Sequence, residues 1–235
     1  MISPEEFQNI LNFIGYGNLE APLWFIGVEE GTGKKPRTLF WSLEWELQVR
    51  TSWSPVMDMY DAHTTLRNYY WVTLDFPWAW VLIAQLTRGI LHHAPDWSSF
   101  HKAYGYIYNH LGRATSDTLL GEALPLPFRY RQHWPFEYRE LYPSREKYEQ
   151  AISPTRIAMW KELIKQHRPS TVICYGTLWY RNQDVFIEQE WHSLTRRIVT
   201  TTYYQHTQVY IVPFFDRDDR TEEDLAAVVA HATQE

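Results

Sequence analysis

The chain is 235 residues long, 45% hydrophobic and 21% charged, the proportions of a soluble globular protein long enough to bury a substantial core. No apolar run approaches the roughly 20 residues of a bilayer span, Met1 to Gly15 lacks the basic start and long apolar stretch of a signal peptide, and the single cysteine, Cys174, excludes an internal disulfide framework and a cysteine-clustered metal site. The net charge of −6 argues against a broad nucleic-acid-coating surface, and the expectation is a cytoplasmic, monomeric single domain over residues 1–235, without membrane contact, cofactor, metal or obligate protein partner.

In chain order, SPEEFQNILNFIG carries Ser3 as an N-cap, Pro4 in the first turn and Glu6 as the capping-box partner, which predicts an amphipathic helix ended near Gly15 or Gly17. LWFIGV, after Pro22, is a short continuous apolar run and reads as a buried strand, followed by a loop bearing Glu29 and Glu30. TLFWSLEWELQVR returns to helical spacing. In the Trp- and Tyr-rich middle, PWAWVLIAQLTRGIL and SSFHKAYGYIYNHLG are predicted helices. LLGEALPLPF reads as a second strand cut short by Pro125 and Pro127. A helix is predicted over SPTRIAMWKELIKQHRP, with Ser153 as cap, Pro154 in its first turn and Pro169 just past its end. TVICYG, which contains the core cysteine, is a third strand with a glycine turn; QVYIVPFFD is a fourth, and RTEEDLAAVVAHATQE a closing helix.

Four apolar strands separated by helical segments imply an α/β fold with a mostly parallel sheet covered on both faces. Sites in such sheets form outside the carboxyl ends of the strands, where the strand order switches. That edge would gather Glu29, Glu30 and Gly31; Glu122 through Pro127; Tyr175 and Gly176; and Phe214 to Arg217.

The aromatic share is 17%, a surplus that fits core packing or the stacking of bases and sugars. Arg129, Arg131, Arg139 and Arg145, with Arg196 and Arg197, are candidates for a local basic face, the alternative being ordinary solvated arginines. The ten histidines form neither HExxH nor HxH, and His206 stands too far ahead of the fourth strand for a general acid at its far end. GVEEGTGKK matches neither GxxxxGK[ST] nor GxGxxG, and two carboxylates in such a cradle would repel phosphate.

Taken in order, these segments resemble the uracil-DNA glycosylase superfamily. The resemblance implies a three-layer α/β/α sandwich around a four-stranded parallel sheet. Gly27-Val28-Glu29-Glu30-Gly31 stands where the family has a strand followed by Gly, any residue, Asp or Asn, and Pro. Glu29 takes the water-orienting position and Glu30 the proline position. Phe40 and Trp41 fall where a ring stacks on the flipped base, with Trp41 preferred; Glu122 falls near the residue that reads the base edge. VPFFDR occupies the last motif, with Phe214 in place of the usual His or Asn and Phe215 in place of Pro. Asp216 and Arg217 follow where the family has the loop that enters the minor groove; Arg129 and Arg131, from the local basic face, are the other expected DNA contacts.

The chemistry follows from the residue types. Breaking an N-glycosidic bond builds positive charge on the sugar, which a carboxylate stabilises while accepting a proton from water. The catalytic candidates are Glu29 and Glu30, with Glu29 preferred and Glu30 open to a capping role or a pairing with Lys34, Lys35 or Arg37. An ionised Glu122 would accept from the N4 amine of cytosine and suit uracil poorly. The expectation is a DNA glycosylase acting on a flipped-out modified cytosine of phage DNA, with Phe214 helping to enclose a larger base such as a glucosylated one. The alternatives are a uracil or damaged-base repair enzyme, a catalytically silent nucleic-acid-binding member of the fold, and a hydrolase of free nucleosides.

Overall fold

The computed structural model describes residues 3–31, 42–66, 70–94, 97, 100–128, 134–176, 178–179, 191–196, 198–201, 204, 206–213 and 219–234. Helix α1 (Pro4–Leu11) opens on the predicted capping box, with the Ser3 hydroxyl accepting from the Glu6 N–H and the Glu6 carboxylate accepting from the Ser3 N–H. It is followed by β1 (Gly15–Gly17), β2 (Leu23–Gly31), α2 (Leu43–Arg50), β3 (Val56–Met57), α3 (Met59–Thr65), α4 (Tyr70–Thr73), α5 (Trp78–His92) and α6 (Phe100–Asn109). Then come β4 (Thr118–Phe128), a 3-10 turn (Phe136–Tyr138), α7 (Arg145–His167), β5 (Thr171–Tyr175), β6 (Trp191–Ser193), β7 (Val199–Thr201), β8 (Gln208–Val212) and α8 (Asp219–Ala232).

The fold is α/β, as expected, but the sheet is larger and mixed. Among the described residues eight strands stand in the order β3-β1-β4-β2-β5-β8-β7-β6. The four anticipated strands form its parallel centre, β4-β2-β5-β8. One margin is extended by β1, antiparallel to β4, and the other by the antiparallel β7 and β6. Those added strands have only two or three residues each, too few to show an alternating pattern in the sequence.

Helix α1 ends at Leu11, and Gly15–Gly17, where its end was expected, is strand β1; three further expectations about element boundaries are corrected. First, β2 does not stop before the glutamates, because its pairing with β4 continues through Glu29↔Leu124 to Gly31↔Phe128. Glu29 and Glu30 are strand residues. Second, β4 runs through Pro125 and Pro127. A register shift between Glu29 and Gly31 absorbs extra β4 residues there, and β1 pairs only as far as Gly121, so the prolines fall beyond the reach of that neighbour. Two tyrosines serve the backbone instead: the Tyr148 hydroxyl accepts from the Leu126 N–H at 3.1 Å, and the Tyr138 hydroxyl donates to the Pro127 carbonyl at 2.8 Å. Third, α7 begins at Arg145 with Ser144 as its N-cap, and Pro154 lies inside it. Ser153 is therefore an interior residue and not a cap.

Cores lie on both faces of the sheet. Leu23, Phe25, Ile173 and Tyr210 face α3, α5, α6 and α8 through Met59, Leu82, Ile107 and Val228. Trp24, Ile26, Val172 and Cys174 face α1 and α7 through Ile10, Trp160 and Ile164. This is the two-residue alternation of strands buried on both sides. No described Trp is exposed, so much of the aromatic surplus serves these interiors. Among the described residues no helix is long and apolar enough to cross a membrane.

Candidate functional site at the parallel switch point

From β2 the chain passes to β4 on one side, while from β5 it passes to β8 on the other. The order thus reverses between the neighbours β2 and β5, and the crevice of an open parallel sheet forms beyond their carboxyl ends. Gly27, Glu29 and Glu30 lie at that end of β2, Tyr175 at that end of β5, and Glu122 on the adjoining β4.

The two glutamates diverge because successive strand residues project to opposite faces. Glu29 Oε2 lies 2.9 Å from Arg145 Nη2, at the first residue of α7, with the carboxylate side chain 14% exposed. The Arg145 guanidinium also reaches Glu149 at 2.6 Å and lies 4.9 Å over the Phe128 ring. Glu30 Oε2 lies 2.7 Å from Arg50 Nη2 and accepts from the Tyr16 hydroxyl at 2.8 Å. Arg50 is itself buried, bonded to the buried Glu46 at 2.7 Å and stacked 4.5 Å from the Trp53 ring. Burial acts against that guanidinium, but Glu30, Tyr16 and Glu46 hold its affinity for the proton well above the ordinary arginine range.

Glu122 differs from both. Register pairs it with Gly27, and Ile26 with Cys174, which brings Gly27 level with Tyr175. Glu122, Gly27 and Tyr175 consequently form a row across three parallel strands. A Cβ on Gly27 would collide with Glu122 Oε2 and lie 2.6 Å from the Tyr175 hydroxyl, so the carboxyl and the phenol share the space that a side chain would fill. Glu122 Oε2 is buried and has no hydrogen-bond partner among the described residues. Burial holds the Glu122 carboxyl well above the usual range, the charges of Glu30 and Glu29 push the same way, and Arg156 and Arg50 only partly oppose them. Burial raises the Tyr175 hydroxyl as well, reinforced by Glu122 and Glu30. From α7, Arg156 donates to the Glu122 backbone carbonyl at 2.7 Å, and burial pushes its proton affinity down to about 10. Trp179, just past β5, donates to the Gly27 carbonyl at 3.4 Å.

Comparison of the chain with protein-family models, with curated proteins and with solved structures gives no match.

Of the expected site residues, Glu29, Glu30 and Glu122 come together at one edge. Phe40, Trp41, Arg129, Arg131, Phe214, Asp216 and Arg217 lie outside the described residues, as do Lys34, Lys35 and Arg37. Arg145, considered for a basic face, is engaged by Glu29 and Glu149. His206 precedes β8, at the end of the sheet opposite the crevice. Sequence reasoning did not single out Gly27 as a space-maker, or Arg50 and Tyr16 as the holders of Glu30; these roles emerge only from the pairing of β2 with β4 and the return of α2. Among the described residues no group of three or more His, Cys, Asp and Glu side chains is placed to hold a metal ion.

Proposed function

We propose that the protein hydrolyses the N-glycosidic bond of a base presented by DNA and leaves an abasic site. The observation that carries this reading is the gathering, at one switch point, of three carboxyl groups in two conditions: Glu29 and Glu30 each facing an arginine, and a half-buried Glu122 whose inaccessible Oε2 has no hydrogen-bond partner among the described residues. Glycosidic hydrolysis uses that asymmetry, since an anionic carboxylate stabilises the cationic sugar and accepts the proton of water. Glu29 fills this role in our reading, and Glu30 supports the turn through Arg50 and Tyr16.

Burial and the charges of Glu30 and Glu29 push Glu122 toward its protonated form, and that form alters the expectation about the base. An ionised carboxylate can accept from the cytosine N4 amine but has nothing to donate to uracil O4, whereas a carboxylic acid offers one acceptor and one donor. It matches N4–H and N3 of cytosine, and equally N3–H and O4 of uracil. Modified cytosine in phage DNA remains the preferred substrate, with uracil or damaged-base repair as the alternative, and the choice then falls to groups beyond Glu122.

The test is incubation with oligonucleotides containing uracil, cytosine, hydroxymethylcytosine or glucosylated hydroxymethylcytosine, with released bases read by mass spectrometry and abasic sites by alkaline cleavage. Base release is expected, and Glu29→Gln should lower it by about 10²- to 10⁴-fold, with a smaller loss in Glu30→Gln. DNA binding without release of any base would favour a silent binding protein. Release from free nucleosides alone would favour a small-substrate hydrolase.

A further inference from the structure

Departure of a base leaves an electron pair on its ring system, and a proton delivered there lowers the barrier. Neither Glu29 nor Glu30, each held against an arginine, is suited to give up a proton. Glu122 is. Its Oε2 is buried and unpartnered among the described residues, it pairs in register with Gly27, two residues before Glu29 on β2, and it adjoins the Tyr175 hydroxyl over a glycine that leaves room for both.

We propose that Glu122 is the proton donor to the departing base, positioned for that role by Gly27 and the Tyr175 hydroxyl. This rests on the N-glycosidic reading above. In the step, the bond from the sugar C1′ to the base nitrogen breaks and its electron pair goes to the base. The Glu122 O–H proton passes to the ring nitrogen or carbonyl oxygen that carries the charge. Water adds its oxygen to C1′ and gives its proton to Glu29. Base and sugar leave neutral, Glu122 is left ionised and Glu29 protonated, and one proton exchanged through solvent restores both. The groups that face the Glu122 carboxyl act in opposed directions: burial, then Glu30 and Glu29 from β2, raise its hold on the proton, while Arg156 from α7 and Arg50 from α2 lower it, and the raising influences are the larger. Tyr175 is a positioning residue. Its hydroxyl, raised by burial, stays protonated and occupies the far side of the Gly27 gap.

Two measurements on the full chain test this. In an infrared difference spectrum of wild type against Glu122→Gln at neutral pH, a protonated-carboxyl C=O band should be present in wild type and lost in the variant, and Tyr175→Phe should shift it. In base release from the oligonucleotides above, wild type should lose activity on the alkaline side as Glu122 ionises. Glu122→Gln should lower kcat/KM by about 10²- to 10⁴-fold and abolish that alkaline limb, and Tyr175→Phe should move it. Absence of the carboxyl band shows Glu122 ionised at rest and overturns the proposal whatever the activity. An active wild type whose alkaline limb and rate persist in Glu122→Gln also overturns it while leaving the N-glycosidic reading standing. A wild type that shows the band but releases no base from any oligonucleotide removes that reading, and the proton-donor role with it.

Discussion

Glu29 and Glu30 are adjacent in the chain yet are held by arginines of different helices, Glu29 by Arg145 at the start of α7 and Glu30 by Arg50 at the end of α2. The pairs differ in burial, and their energetic weight differs accordingly. Arg50 is 2% exposed and its partner Glu46 is 0% exposed. Arg145 is 23% exposed, so water screens much of its interaction.

Arg50→Met should therefore lower unfolding stability by about 3–5 kcal/mol, because the buried guanidinium that faces both Glu46 and Glu30 is lost. Arg145→Ala should cost about 1 kcal/mol or less. Urea denaturation of the two variants provides the measurement, and equal losses would contradict the burial difference.

Stability should also depend on pH through Glu122. Its folded-state affinity for the proton lies well above the ordinary value of 4.5, so the neutral form favours folding at low pH. That contribution is lost as pH rises from about 4.5 through the raised folded value, since the native state must then ionise a carboxyl whose Oε2 is shut off from water. Glu122→Gln should lose no such contribution and gain on wild type across this window, by up to about 1.4 kcal/mol per pH unit. Thermal unfolding of both proteins over a pH series reads the slope; parallel curves would place the Glu122 proton affinity at its ordinary value.

Gly27→Ala introduces a methyl group between the Glu122 carboxyl and the Tyr175 hydroxyl. Overpacking should cost about 1–3 kcal/mol, and base release should fall further than stability alone accounts for. Comparing activity at a temperature where both proteins are fully folded separates the two effects.

Pro154 sits within α7 and removes the N–H that would bond to the Gln150 carbonyl. Pro154→Ala restores that donor and should raise stability, by up to about 3 kcal/mol on helix propensity. The melting temperature followed by circular dichroism is the readout, and a lower value would show that the proline ring contributes packing the helix needs.

The parallel core was legible in the sequence because its strands are apolar runs flanked by turn signals, as in LWFIGV and TVICYG, where Gly176 takes a φ of 101° at the turn. The helix α1 was legible from its capping box. Pro125, Pro127 and Pro154 misled for one shared reason. Proline is a local signal, and here tertiary contacts override it: tyrosines on the 3-10 turn and α7 supply the β4 backbone, and the 23-residue α7 holds its course around a lost bond. At the site, Glu29, Glu30 and Glu122 were visible as acidic residues near strand ends, but their unlike electrostatic conditions were not. Those depend on Arg50, Arg145 and Gly27, whose positions are fixed by register and helix return rather than by nearby sequence.

The unequal lengths of the central strands carry one more consequence. β2 leaves β5 after the Ile26↔Cys174 pair but stays with β4 as far as Gly31↔Phe128, so Val28 to Gly31, roughly 13 Å of strand, project as part of a two-stranded ribbon with an irregular register. Glu29 and Glu30 ride on this arm, whereas Glu122 is fixed in the four-stranded floor beneath it. Arg50 and Arg145 tie this arm through Glu30 and Glu29 to α2 and α7, so the separation of Glu29 from Glu122 is set by the placement of two helices as well as by sheet register.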